Sequence, residues 1–196
     1  LDLFLIPMLC CALPGSLLLR YGRGERVISA REGLLSIGLC WLILSLCGAL
    51  PLSLSGQLSF IDSVFEIISG YTTTGATILT DVEALSYCML FWRSFTHWIG
   101  GMGVLVFLLT LIPLTGGSHM NLMKAESPGP SVTRLVPKVK STAKILYMIY
   151  IVLTIIEIFL LLFGGMPLFD SITLSLGTAG TGGFGIKNDS IAGYST

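Results

Sequence analysis

Apolar runs long enough to cross a lipid bilayer constrain the fold of this chain more than any other feature. A helix needs about 20 mostly apolar residues to cross the hydrocarbon core. Four runs reach or approach that length, at residues 1–19, 33–52, 89–114 and 145–166. With 53 % hydrophobic and 11 % charged residues, the chain lies outside the composition of soluble globular domains. We therefore predict an all-α integral membrane protein.

The basic residues predict how the runs are oriented in the membrane. Nine of the eleven Lys and Arg residues lie at 20–31 or 124–144, in the gaps between apolar runs. Short loops rich in Lys and Arg stay on the cytoplasmic side. Segments 20–32 and 115–144 are therefore predicted to be cytoplasmic, which places residues 53–88 outside.

The outer segment 53–88 is too apolar for an ordinary loop. Ser59 and Asp62 have the spacing of a capping box, and the apolar residues after them recur at helical intervals, so a helix of about three turns is predicted. The sequence TTTGAT follows at residues 72–77. Non-helical backbone is tolerated at membrane depth only where protein or a watery path surrounds it. The pattern therefore predicts a re-entrant pore loop.

The same arrangement recurs after the fourth apolar run. Asp62 aligns with Asp170 without a gap. This alignment places Gly75 on Gly183, whereas a shift of one residue places Gly75 on Gly182. Repetition at this scale indicates a structural unit, a span followed by a half-helix and a Gly/Thr-rich turn. The register of the second turn stays open between the two glycines.

The chemistry of such turns suits a cation. A ring of backbone carbonyls replaces the water around an ion, and glycine permits the angles that aim successive carbonyls inward. The segments predicted to lie outside also carry an excess of acidic residues, which would enrich cations there. These residues are Asp62, Glu66, Asp81, Glu83, Asp170 and Asp189. We interpret Asp62 and Asp170 as helix caps in the first instance.

Other site classes have little support in the sequence. The segment GTGGFG at residues 180–185 matches the dinucleotide-binding fingerprint in form. That fingerprint requires a preceding strand and a following helix, whereas here a membrane-length run precedes it. The sequence contains no nucleophile–base pair and no cluster with metal-ligand spacing, so neither an enzyme nor a cofactor is predicted.

Several residues in the apolar runs permit two interpretations. Glu157 is either a polar contact between helices, which we favour, or a residue of a cation or proton pathway. Gly100, Gly101 and Gly103 indicate either close helix packing or a flexible break that lines a pore. For His97, we expect a structural or surface role rather than ligation.

Five sequence blocks together resemble the potassium-uptake membrane subunits of the Trk/Ktr/HKT superfamily, and within it the TrkH branch. They are REGLLSIGLCWLILSLCGALPL, FEIISGYTTTGATIL, WRSFTHWIGGMGVLVF, AESPGP and GTGGFG, in this order. The resemblance implies a pore of four span–loop–span repeats, each with one filter strand, in a multi-pass protein of the inner (plasma) membrane. The implied potassium-binding filter residues are Thr73, Thr74, Gly75, Gly180, Thr181, Gly182 and Gly183.

The resemblance also implies a function and partners. The function is potassium ion uptake, with two of four selectivity-filter strands contributed by this chain and with potassium as the substrate. Partners would be membrane lipid, a second copy in a homodimer, and a cytosolic nucleotide-binding regulatory subunit of the TrkA kind, with no nucleic acid. The alternative is a non-conducting membrane scaffold or a truncated partner-binding subunit.

The predicted organisation has four parts. An N-terminal membrane helix and a basic loop occupy residues 1–32, and a first complete repeat occupies 33–114. A cytoplasmic linker at 115–144 leads to a second repeat at 145–196, which contains a span and a pore loop. Because only one repeat is complete, the chain alone is not expected to conduct, and it looks like a fragment of a longer transporter.

Overall fold

The structure is a computed structural model that describes residues 2–21, 30–114 and 139–194. Within these ranges every regular element is a helix. The elements are α1 (Asp2–Tyr21), α2 (Ala30–Leu54), α3 (Phe60–Tyr71), α4 (Tyr87–Leu114), α5 (Val139–Phe163), α6 (Leu168–Ala179) and a short 3-10 helix (Ser190–Tyr194). Most of the predicted cytoplasmic segments 20–32 and 115–144 lies outside the described residues.

Helices α1, α2, α4 and α5 correspond to the four apolar runs of the sequence. Two stretches in the described residues are long and apolar enough to cross a membrane, Leu35–Leu54 in α2 and Lys144–Phe163 in α5. The second stretch is almost entirely unburied within this chain, and large apolar side chains such as Leu153 and Leu160 are exposed. Such a surface needs lipid or further protein around it.

Helix α4 lies between the two short helices. It packs against both short helices, α3 and α6, and against α5, while α2 packs against α1 and α3. The buried apolar core joins α2, α3, α4 and the segment after α6. Its residues are Ala49, Leu52, Ile67, Tyr71, Leu85, Met89, Leu90 and Ile186.

The first half-helix, α3, begins as the sequence predicts. The Ser59 side chain accepts a hydrogen bond from Asp62 N at 3.2 Å, and its hydroxyl donates to Asp62 Oδ2 at 2.7 Å. This pair satisfies backbone and side-chain groups that the first turn of a helix leaves free.

The second half-helix, α6, begins differently. It follows Pro167, with no side-chain cap, and the Asp170 carboxylate instead accepts a hydrogen bond from the Tyr194 hydroxyl at 2.8 Å. The interpretation of Asp170 as a helix cap is therefore wrong. The sequence GTGGFG at 180–185 follows a helix rather than a strand, so the context of a dinucleotide fingerprint is missing.

Candidate functional site

The two half-helices and the turns after them match each other residue by residue. The ungapped alignment of the sequence carries both bounds of α3 onto those of α6, and each helix has 12 residues. It also pairs the residues of positive φ, Thr73 (57°) with Thr181 (59°) and Gly75 (76°) with Gly183 (74°). Of the two registers that the sequence left open, the backbone angles support the one that matches Gly75 with Gly183.

The hydrogen bonds of the turns show where the two copies diverge. Thr73 N and Thr181 N each donate to the carbonyl three residues earlier, at 3.0 and 2.8 Å. Beyond them, Thr74 N donates to the carbonyl five residues earlier, whereas in the second turn Gly183 N donates to the carbonyl six residues earlier. The second turn therefore takes one more residue to close than the first.

The two turns contact each other through their backbones. A side chain at Gly75 would overlap the carbonyl group of Gly182, so the two strands meet where neither residue has a side chain. A side chain at Gly183, in contrast, would meet open space. Two segments predicted as filter strands, Thr73–Gly75 and Gly180–Gly183, thus lie together beyond the C-terminal ends of α3 and α6.

A buried carboxylate holds the first turn from behind. Glu66 has no exposed surface, and its carboxylate accepts hydrogen bonds from Thr77 Oγ1 at 2.8 Å and from Ile78 N at 3.1 Å. It also accepts from Arg93 Nε at 2.8 Å in a buried ion pair. The expectation that Glu66 adds to an outer acidic surface is wrong, because its charge is paired inside the protein.

Arg93 links this network to the second turn. Its guanidinium carbon lies 4.1 Å from the centre of the Phe184 ring, and Nη1 donates a long hydrogen bond of 3.5 Å to Gly185 O. The residue is 1 % exposed. A buried guanidinium is tolerated only when it is paired and hydrogen-bonded. Arg93 of α4 therefore couples the two turns through one side chain.

The glycines of α4 explain how both half-helices come so close. A side chain at Gly100 would overlap Tyr71 O at the end of α3, and one at Gly101 would lie 3.1 Å from Gly180 Cα at the end of α6. Helix α4 is unbroken from Tyr87 to Leu114. The structure therefore supports close packing for these residues over a flexible break.

Two further predicted residues have defined surroundings. Glu157 on α5 is half-buried and lies near the Thr178 side chain of α6, a position between two helices. His97 on α4 is fully buried, and its ring meets that of Phe184 edge to face, with 4.0 Å between ring centroids. The structural role expected for His97 thus has a specific location, against the second turn.

The outer ends of the two turns are joined through Asn188. Its side chain accepts from Val82 N at 2.8 Å and donates to Asp81 Oδ1 at 2.8 Å. Asn188 N donates to Glu83 Oε1 at 3.1 Å. Two of the outer acidic residues are therefore engaged in holding the two loops together.

Sequence reasoning did not assign Glu66, Arg93 or His97 to the site. The available signal was their position, since a charged or polar residue inside an apolar run needs a partner. That signal was used for Glu157 but applies equally to Arg93 and His97 in the third run.

Comparison with known protein families gives one match along nearly the whole chain. The family model described as TrkH, cation transport protein, matches residues 3–196. Among curated relatives, the Trk system potassium uptake protein TrkH of Salmonella typhimurium is 41 % identical over 178 residues, which cover 89 % of this chain and 36 % of that protein. TrkG of Escherichia coli is 38 % identical over 170 residues, covering 85 % and 35 %.

A more distant relative and a solved structure agree with these matches. An uncharacterized cation transporter of Methanocaldococcus jannaschii is 36 % identical over 186 residues, which cover 94 % of this chain and 38 % of that protein. The crystal structure of the potassium transporter TrkH from Vibrio parahaemolyticus matches with a TM-score of 0.80 and 29 % identity, over 95 % of this chain and 37 % of that one. The chain thus spans slightly more than a third of the length of these proteins.

Proposed function

This chain belongs to the TrkH family of cation transport proteins, and on that premise we propose that it supplies two of the four selectivity-filter strands of a potassium uptake protein. Family membership confirms the fold class predicted from the sequence, an all-helical multi-pass membrane protein. It also confirms a transport protein rather than an enzyme.

One observation carries the proposal: the paired turns with matching left-handed residues. Thr73 and Gly75 in the first turn have the φ signs of Thr181 and Gly183 in the second, and the turns touch. A backbone with left-handed residues at alternate positions can point successive carbonyl groups toward an ion. In this proposal those carbonyls replace the water of a potassium ion.

The electrostatics of the site favour a cation. Both turns follow the C-terminal ends of half-helices, where unpaired carbonyls carry a partial negative charge. The cationic side chain of Arg93, which contacts both turns, is paired with the Glu66 carboxylate. A positive charge next to the turns would otherwise oppose the entry of an ion.

The proposal includes the organisation predicted from the sequence. Residues 33–114 form the first repeat and 145–196 the opening of the second, with 1–32 as an N-terminal helix and basic loop and 115–144 as a cytoplasmic linker. Two further strands complete the filter in a transporter of the relatives' length. A homodimer and a cytosolic nucleotide-binding regulatory subunit are the proposed partners.

Potassium-dependent growth tests the function. The complete reading frame that encodes this chain is expressed in a bacterial strain without its own potassium uptake systems, and growth at limiting potassium is measured together with rubidium uptake and membrane abundance. We expect growth and uptake to be restored. If the protein reaches the membrane in normal amounts but restores neither, the alternative of a non-conducting scaffold replaces this proposal.

Thiol block tests the filter assignment separately. In a version without native cysteines, Thr181→Cys places a thiol on the exposed turn, and Leu153→Cys places one on the exposed face of α5 as the control. A small thiol reagent is expected to stop uptake only in the Thr181→Cys variant, and potassium should slow the reaction. Block that is absent at position 181, or unaffected by potassium, argues against a filter there.

A further inference from the structure

The second turn lacks the support that the first turn receives from its own half-helix. In the alignment supported by the backbone angles, α6 has Leu174 where α3 has Glu66. Asp170 is the one charged residue in the sequence of α6, and it lies in the first turn of that helix, at the end remote from the filter. The backbone of α6 accepts hydrogen bonds from this turn, but a polar side chain equivalent to Glu66 must come from another element.

His97 of α4 lies directly against the second turn. A side chain at Gly182 would overlap His97 Nε2, and a side chain at Gly180 would lie 2.5 Å from His97 O. The ring also meets Phe184 edge to face. One fully buried residue of the first repeat thus packs against the start, middle and end of the second turn.

The ring nitrogens of His97 are unsatisfied polar atoms in the described part of the chain. Both Nδ1 and Nε2 are buried and have no hydrogen-bond partner among the described residues. Buried polar side-chain atoms are nearly always paired with protein or with ordered water. An imidazole always offers at least one N–H donor, and the backbone against Nε2 is that of the second turn.

We propose that His97 is a positioning residue for the second filter strand, with a ring N–H that donates, directly or through one water molecule, to the backbone of 180–183. By this contact it sets the direction of the carbonyl groups that distinguish potassium from sodium. The inference rests on the proposed function. The competing explanation is that His97 only fills space beside Phe184, in which case an apolar residue of similar size would serve equally well.

Three substitutions separate these explanations in the complete protein. His97→Leu removes both nitrogens, His97→Gln keeps an amide N–H near the position of Nε2, and His97→Asn keeps one near Nδ1. Uptake of potassium and of sodium is measured for each variant and divided by membrane abundance. The matched control is Thr154→Val, which removes the buried acceptor of Trp98 Nε1 at the α4–α5 contact but does not touch either turn.

The leucine variant is expected to lose about tenfold in potassium-over-sodium preference, which corresponds to about 1.4 kcal/mol. One of the two amide variants should return the preference to within about threefold of the unmodified protein, and so identify the nitrogen that donates. Thr154→Val should keep the preference even if its abundance falls.

Two results would overturn the inference. The first is an unchanged ion preference in His97→Leu. The second applies if His97→Leu does not reach the membrane: it is an equal ion preference in His97→Gln and His97→Asn, because the proposal requires these two variants to differ. Failure of the unmodified protein to take up potassium overturns the proposed function itself, so the two failures are distinguishable.

Discussion

At the scale of single residues, Gly75 determines how closely the two turns approach. It has a φ of 76°, and a side chain there would overlap the carbonyl group of Gly182. Gly183 has nearly the same φ, 74°, but faces open space. Substitutions at these two glycines therefore distinguish the free-energy cost of a side chain in the left-handed region from the cost of displacing the neighbouring strand.

Serine substitutions at these two positions should have different effects. Both pay a similar penalty of about 1–2 kcal/mol for a side chain in the left-handed region, but only Gly75→Ser also pushes the second strand away. We expect Gly75→Ser to lower potassium-over-sodium preference by about tenfold and Gly183→Ser to change it less. Uptake of both ions is measured against membrane abundance. Unchanged preference in a normally abundant Gly75→Ser variant would remove Gly75 from the proposed filter.

The Glu66–Arg93 pair makes a second prediction at this scale. Removal of one member leaves the other charge buried without its partner, which typically costs about 3–5 kcal/mol. Glu66→Gln and Arg93→Met should therefore each lower the thermal stability of the detergent-solubilised protein strongly. The double variant should lose much less than the two losses added together. Additive losses would show that the pair is not coupled.

At the scale of elements, α4 is the common support of both half-helices. Gly100 meets the end of α3 and Gly101 the end of α6, while Arg93 and His97, further toward the N-terminus of α4, reach the turns that follow. Side chains three, four and seven residues apart share one face of a helix. A single face of α4 thus carries both the glycines that permit close contact with the half-helices and the polar residues that contact the turns.

Alanine at Gly100 should disrupt this contact. The added methyl group would meet backbone atoms of Tyr71 and Gly70, which cannot rotate away as a side chain can, and overpacking of this kind costs about 1–3 kcal/mol. Gly38→Ala in α2 is the control, since a methyl group there has no neighbour within 4 Å. Melting temperatures of the two purified variants are compared. Equal stability would contradict the packing role of Gly100.

At the scale of the whole molecule, the orientation in the membrane follows from the basic segments. We expect residues 20–32 and 115–144 to be cytoplasmic. In a cysteine-free version, Pro128→Cys should not react with an impermeant thiol reagent added to intact cells, whereas Gln57→Cys, on an exposed residue before α3, should react. Labelling of position 128 from outside would reverse the orientation.

The sequence alone determined the membrane helices and the two half-helices with their turns. These depend on local information, namely the length of the apolar runs, the Ser59 cap and the Gly/Thr-rich segments at which the chain turns. This information lies in residues close together in the sequence, so the elements can be predicted without knowing the tertiary contacts.

Only the tertiary structure decided the register of the second turn and the residues that support it. Gly183 rather than Gly182 matches Gly75 because Gly183 has the positive φ of Gly75, and the sequence does not show backbone angles. The pairing of Glu66 with Arg93 and the contact of His97 with Gly182 join residues far apart in the sequence. No local periodicity encodes such contacts, because they depend on which helix faces bury one another, and that choice is made by the whole bundle.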